Sequence, residues 1–268
     1  MIIVAGARSA AEASWLFANG VGEVYCGVVG IPNHRRDSLS LGEGREFREI
    51  IAMAAAEGRK ALLLLNESCP PRGEAAVAEK VRRFVELGAA GVVLKDLPML
   101  DLLRAAGVKT DYILSSLAPD FNSASLKFFV DRGIKRVILP YHLPPGAARG
   151  MIKNRWGIPA EMFYYPAHFC QNVDPLCTFC GHKPCKAGLR YGGRVFRMPS
   201  PGPEARADMM YDGFHAGVRY LKIPRTLDFG GLKRFVAGAV RLDGELRAGT
   251  GRKAFRRRYA EAYSSCRV

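Results

Sequence analysis

The sequence lacks the long apolar runs and the short motifs that mark membrane proteins and common hydrolases. No stretch approaches the roughly 18 to 20 apolar residues that cross a bilayer. The opening residues, MIIVAGARSAAEASWLF, lack the basic start and cleavage site of a signal peptide, so we expect a cytoplasmic protein without a membrane span. The sequence has no HExxH motif, no Ser, His and acid set typical of serine hydrolases, and no obvious carboxylate pair.

Acidic residues are scarce relative to basic ones. The chain has 25 Asp and Glu against 40 Lys and Arg, which gives a formal net charge of +15. From Lys233 onward, ten basic residues accompany three acidic ones, and the densest basic run is 252–258. This composition suits an acidic small molecule or RNA as a ligand, and it equally suits a solvated helix face. No aromatic-rich RNA-binding motif accompanies the charge.

Short apolar runs alternate with segments of helical periodicity along most of the chain. Eight such units in about 240 residues match the size of a TIM-type (β/α)8 barrel. The runs KALLLLN and GVVLK are apolar almost throughout, as expected for parallel strands that are buried on both faces. An open doubly wound sheet is the alternative, but its glycine-rich phosphate turn has only a faint counterpart in AGARSAAE.

We therefore predict one α/β barrel over residues 1–242. A cysteine-rich, metal-binding insertion is expected at 166–203, after the seventh strand, and a basic helical tail at 243–268. The predicted strands are 1–5, 23–27, 60–66, 91–95, 112–115, 136–139, 161–165 and 220–223. The predicted helices are 9–19, 47–57, 74–87, 98–106, 122–132, 144–154, 204–216 and 232–242.

Cysteines are the most informative residues of the insertion. Four of the seven, Cys170, Cys177, Cys180 and Cys185, lie within sixteen residues in the pattern C-x6-C-x2-C-x4-C. Disulfides are rare in a reducing compartment, so clustered cysteines there indicate metal ligands. Soft thiolates select zinc or an iron–sulfur cluster. Zinc sites usually show two tight cysteine pairs, whereas four-iron clusters accept irregular spacing, so the spacing leaves both metals open.

Polar residues at or just after the predicted strands mark the carboxyl end of the barrel. Barrel enzymes carry their catalytic groups at that end, although such residues also cap helices and form turns. Lys222 lies within the strand YLKI, and an ammonium group that points inward needs an anionic partner. The candidate substrate-binding or catalytic residues are Asn66, Asp96, Ser116, Asn122, His168, Lys222 and Arg225.

A set of motifs connects the seventh strand to the cysteines. Glu161 and Phe163 form a Glu-x-Phe segment that leads to Cys170, and Cys177 follows seven residues later. The segment PCK at 184–186 is similar to a Pro-Cys-Arg element that ends the cysteine segment in one known family. Four further segments belong to the same set: EVYCG, LNESCP, SSLAPDFNSASLKFFVDRGIKRVILP and YLKIPR. Together these motifs, which span most of residues 1–230, resemble those of peptidase family U32, the collagenase-like group.

The resemblance implies a barrel with a four-iron, four-sulfur cluster on the clustered cysteines, with Cys266 as the alternative to Cys180 for the fourth ligand. Some relatives are named peptidases, and others act in oxygen-independent hydroxylation of ubiquinone precursors or RNA bases, some of them in pairs. The resemblance thus predicts a hydroxylase-type enzyme or its partner. The alternatives are a peptidase and a non-enzymatic zinc- or RNA-binding module.

The same resemblance and the basic charge together define the expected partners. We predict a small anionic or aromatic substrate, or RNA bound through the basic tail. We also predict association with a paralogous chain or with a second copy of this one.

Overall fold

The barrel and the C-terminal helices are described by a computed structural model. The described residues are 1–34, 39–42, 44–69, 72–118, 120–140, 143–164, 189–196, 201–224 and 228–264. The predicted ligands Cys170, Cys177, Cys180, Cys185 and Cys266 lie outside these residues, as do His168 and Arg225.

Eight parallel strands close into a barrel in which each strand pairs with its neighbours in the chain, and the last pairs with the first. The strands are β1 (Ile2–Gly6), β2 (Glu23–Cys26), β3 (Lys60–Leu65), β4 (Gly91–Leu94), β5 (Asp111–Leu114), β6 (Ile134–Ile138), β7 (Ala160–Phe163) and β10 (Tyr220–Ile223). Each predicted strand end falls within two residues of an observed one. The predicted TIM-type barrel is confirmed.

Helices cover the outside of the barrel and follow its strands. They are α1 (Ala10–Ala18), α2 (Arg45–Ala56), α3 (Glu74–Glu86), α4 (Leu97–Ala105), α5 (Ser123–Val130), α6 (Arg149–Ile152), α7 (Pro203–Ala216), α8 (Phe229–Arg247) and α9 (Arg252–Ser264). In α2 the buried residues Phe47, Ile50, Ile51 and Ala54 recur at the spacing of one helix face, which packs on the sheet. None of the helices described is long and apolar enough to cross a membrane.

The helix after β6 is much shorter than predicted. The expected helix at 144–154 is reduced to the single turn α6. Pro145 and Gly146, two poor helix formers, precede it. Asn154 closes its far end, because its side chain donates to the carbonyls of Met151 and Ile158 at 2.8 and 2.7 Å. The apolar spacing in this region therefore reflects burial in a turn and not a long helix.

A β-hairpin that we did not predict lies within the expected insertion at 166–203. Strands β8 (Leu189–Tyr191) and β9 (Arg194–Phe196) pair antiparallel around Gly192 and Gly193. Both glycines have positive φ, 55° and 74°, the combination that a two-residue hairpin turn requires. The sequence signal was the pair Gly-Gly between two short runs of strand-forming residues.

Four charged side chains lie inside the barrel and neutralise one another. Arg136 of β6 donates to both carboxylate oxygens of Glu23 at 2.6 and 3.1 Å, and to Glu161 at 3.1 Å. Lys222 of β10 donates to the other oxygen of Glu161 at 3.1 Å, and its ammonium lies 3.8 Å from the ring centre of Tyr25. The anionic partner that we expected for Lys222 is therefore Glu161.

The predicted boundary between barrel and tail coincides with no break in secondary structure. Residues 242 and 243 both lie inside α8, which runs on to Arg247. Helix α9 packs against α7 and α8, and it buries Phe255, Tyr259 and Ala262. Helix α9, which makes up most of the predicted tail, is therefore attached to the barrel helices α7 and α8 through an apolar face.

Several basic residues of α9 are engaged in ion pairs. Arg256 donates to both carboxylate oxygens of Asp208 on α7, at 2.9 and 2.7 Å. Arg252 pairs with Asp208 and with Asp212. These arginines attach α9 to α7, so part of the positive charge that suggested an RNA-binding tail is neutralised within the fold.

Candidate active site

The carboxyl ends of β3 and β4 bring four polar residues together. Asn66 and Glu67 follow β3, and Lys95 and Asp96 follow β4. The two strands are parallel neighbours, with Leu65 paired to Leu94, so the residues after them emerge side by side. This is the end of the barrel at which barrel enzymes carry their chemistry.

The Glu67 carboxylate bridges a lysine and a histidine. Lys95 Nζ donates to Glu67 Oε1 at 3.0 Å, and Glu67 Oε2 lies 3.2 Å from Nδ1 of His34, in the loop after β2. Burial by itself raises the pKa of Glu67, but the contacts with Lys95, the Ser68 N–H and His34 outweigh it and lower that pKa. Glu67 is therefore ionised at neutral pH, and its hydrogen bond places a proton on Nδ1 of His34.

Lys95 is the most buried member of this group. Its side chain is 4% exposed, against 25% for His34 and 38% for Glu67. A buried ammonium is costly without a negative partner, and Glu67 supplies one. The ion pair thus fixes the Lys95 ammonium just below the open end of the barrel, with its charge balanced by the more exposed Glu67 carboxylate.

Asn66 and Asp96 hold the loops around this group. Asn66 Oδ1 accepts a hydrogen bond from the backbone N–H of His34 at 3.2 Å. Asp96 Oδ2 accepts one from the N–H of Cys69 at 3.0 Å. Burial and the nearby carboxylates of Glu74 and Asp96 raise the pKa of the Cys69 thiol, so it is protonated at neutral pH. Asn66 and Asp96, two of the predicted site residues, thus lie at the same barrel end, and each binds the backbone of a neighbouring loop.

Asn122 lies in the loop after β5, where it is the N-cap residue of α5. Its side chain accepts hydrogen bonds from the N–H groups of Ala124 and Ser125 at 2.9 and 3.0 Å. The Ser125 hydroxyl accepts the Asn122 N–H in return, which completes a capping box. Helix capping was one of the two roles foreseen for such a residue. Ser116, after β5, is buried.

Asp120 is a buried carboxyl group on the loop between β5 and α5. It is 2% exposed, and its Oδ1 accepts a hydrogen bond from Ser125. Its Oδ2 has no hydrogen-bond partner within the part of the chain that the structure describes. Burial raises the pKa of Asp120 to about 6, and the Ser125 hydrogen bond opposes only part of that rise.

Replacement of Asp120 by Asn is expected to change how stability depends on pH. The raised pKa means that the folded carboxyl holds its proton more tightly than the unfolded one, so wild-type stability falls as the pH rises through about 6. Asp120→Asn cannot ionise and still accepts from Ser125. Urea unfolding should find the variant about 1 to 2 kcal/mol more stable than wild type at pH 8, with no such gain at pH 4. An equal difference at both pH values would contradict this.

Asn66 and Asp96 are among the residues predicted from the sequence, whereas the charged residues beside them are not. Glu67 directly follows Asn66, and Lys95 directly precedes Asp96. A charged residue at the end of an apolar strand was the available signal for both. His34 lies in a loop without periodicity and gave no signal of its own.

The structure does not describe the predicted metal site. Its ligands follow β7, and the last described residue before them is Tyr164. In the described ranges, no three His, Cys, Asp or Glu side chains lie close enough together to hold a metal ion. The position of Tyr164 fixes where the chain leaves the barrel, which is the same end as Glu67 and Lys95.

Solved structures with a similar fold include two named as a lyase and a hydrolase. One is 2,3-dimethylmalate lyase, with 14% identity and a TM-score of 0.52 over 92% of this chain and 82% of that one. Another is oxaloacetate acetylhydrolase, with 13% identity and a TM-score of 0.52 over 98% and 89%. At such low identity these matches show the fold alone.

A further similar structure is the U32 peptidase Mk0906, with 15% identity and a TM-score of 0.46 over 61% of this chain and 68% of that one. No curated protein matches the sequence. The sequence profile of Peptidase family U32 matches residues 8–179, well over half of the chain, and it includes Cys170 and Cys177. The chain therefore belongs to peptidase family U32.

Proposed function

We propose that this chain is an iron–sulfur enzyme of the oxygen-independent hydroxylase type, or the partner of one. Cys170, Cys177, Cys180 and Cys185 would hold a four-iron, four-sulfur cluster. The observation that supports the proposal most directly is the position of β7. It ends at the same end of the barrel as the group around Glu67, so the cysteine-rich chain begins at that end, across the barrel from β3.

The donor set fits such a cluster. Four thiolates within sixteen residues can hold either a four-iron cluster or zinc, and the family resemblance favours the cluster. When bound, the cluster supplies one-electron transfer to or from the substrate. Zinc is the alternative metal, and the experiment below separates the two.

The residues at the barrel end supply binding and proton chemistry. The Lys95 ammonium and the Glu67 carboxylate hold each other in place, so a partly exposed carboxylate is fixed at the barrel end. The Glu67 carboxylate orients the His34 ring through Nδ1, and an imidazole held in this way can take or give a proton. An oriented imidazole beside a fixed carboxylate can exchange protons with a bound molecule. The basic composition and the family resemblance support the small anionic or aromatic substrate that we propose.

Anaerobic purification followed by iron and sulfide assays tests the cluster. We expect about four iron and four sulfide per chain, and loss of both in Cys177→Ser, because a cubane cluster needs each of its thiolates. Cys180→Ser and Cys266→Ser form the matched pair that identifies the fourth ligand, since only one of them should lose iron. A colourless protein with about one zinc per chain would contradict the proposal.

A further inference from the structure

A cavity of about 450 Å³, called here the outer pocket, lies between α2, α3 and the loop that joins β2 to α2. The loop contributes residues 28–31, α2 contributes Arg48, and α3 contributes four residues between 80 and 87. No residue of the group around Glu67 lines it, although His34 follows three residues after the loop segment. Small-molecule sites usually enclose roughly 300 to 1,000 Å³. The outer pocket is therefore a second cavity of a size that suits a small molecule.

Part of the pocket wall is apolar and firmly held. Val28 and Ile31 are 2% and 3% exposed, so both belong to the core. Phe84 of α3 is half-buried, and its ring packs edge to face on Phe47 of α2 with ring centres 5.2 Å apart. Leu87 also lines the pocket, and it is 51% exposed. An apolar ligand group placed here would cover a leucine that now faces water, which favours binding.

Three basic side chains line the same pocket, and two of them are not neutralised. Within the part of the chain that the structure describes, Arg48 and Lys80 have no carboxylate partner. Arg48 Nε lies 3.4 Å from the carbonyl oxygen of Gly44, and Lys80 Nζ lies 3.5 Å from that of Gly30. Both distances are long for a hydrogen bond, so most of the donor capacity of the two cations remains for a ligand. The third, Arg83, already pairs with a glutamate of its own helix.

We propose that the outer pocket binds a small amphiphilic anion, in addition to the substrate proposed above. Such a molecule has an aromatic or alkyl body and one carboxylate or sulfonate head. The body packs on the apolar wall, and the head is bound by Arg48 and Lys80, which come from different helices. The wall disfavours a bare inorganic anion, and the two cations disfavour a neutral ligand. A protein partner fits less well, because specific interfaces bury about 1,200 to 2,000 Å², far more than one such cavity offers.

Fluorescence titration of the full chain with anilinonaphthalene sulfonate, an aromatic anion of this class, tests the proposal. Arg48→Gln and Lys80→Gln should each weaken binding about threefold, and the double variant about tenfold, because each change removes one exposed charge contact. Leu87→Ser should weaken it about threefold through lost apolar contact. Arg45→Gln is the matched control on α2. Its side chain is 90% exposed and lies outside the pocket lining, so the affinity should stay at the wild-type value.

Competition on the wild-type chain tests the two halves of the ligand separately. Octanoate should displace the dye, whereas inorganic phosphate at the same concentration should not, because phosphate has no apolar body. Displacement by phosphate as readily as by octanoate would overturn the proposal. So would a folded Arg48 and Lys80 double variant that binds the dye as tightly as Arg45→Gln does. Circular dichroism checks that each variant is folded, and the competition decides the matter if the double variant is not.

Discussion

Glu161→Gln is expected to lower the free energy of unfolding by about 3 to 5 kcal/mol, because it breaks a buried ion network by removing one partner. Glu161 is 0% exposed, and its two oxygens receive the charged donors of Arg136 and Lys222, each at 3.1 Å. Arg136 keeps Glu23, but Lys222 loses the carboxylate that neutralises it inside the barrel. A neutral amide cannot replace that charge.

Urea unfolding at neutral pH measures this loss, and a double variant tests its cause. Glu161→Gln with Lys222→Met removes the ammonium together with its carboxylate, so it should recover part of the lost stability. Glu86→Gln is the matched control, because Glu86 pairs with Arg82 on the exposed face of α3 and should change stability by less than about 1 kcal/mol. The explanation fails if Glu161→Gln behaves like this control.

The barrel was predictable because its strands are buried on both faces. Runs such as 61–65 are apolar at every position, and glycines such as Gly88 and Gly107 end the helices between them. The failures have local causes. The predicted helix at 144–154 is wrong because Pro145 and Gly146 disfavour a helix there, and only the turn Arg149–Ile152 forms. The hairpin at 189–196 was missed because its strands are only three residues long.

The site was less predictable, because its contacts join distant parts of the chain. Asn66 and Asp96 could be selected, since residues after barrel strands share one edge. The pairing of Glu67 with Lys95 spans 28 residues, and that of Glu23 with Arg136 spans 113. Such pairs depend on strand register and on which way a side chain faces, and neither follows from spacing within one segment.

Tyr259→Ala is expected to destabilise the protein by about 3 to 5 kcal/mol, as removal of a buried aromatic ring usually does. Tyr259 is 1% exposed and packs on Tyr164 at the end of β7 and on Phe255 of its own helix. If residues 243–268 were a detachable arm for RNA, the same change would leave the unfolding of the barrel unaltered. The prediction therefore decides whether α9 belongs to the cooperative unit of the fold.

Thermal unfolding followed by circular dichroism measures the effect, with Arg257→Ala as the control on the same helix. Arg257 is exposed, and alanine is a good helix former, so this change should stay within about 0.5 kcal/mol. A single transition at lower temperature for Tyr259→Ala shows that α9 unfolds with the barrel. Two transitions, with the larger one unchanged, would show that α9 folds independently.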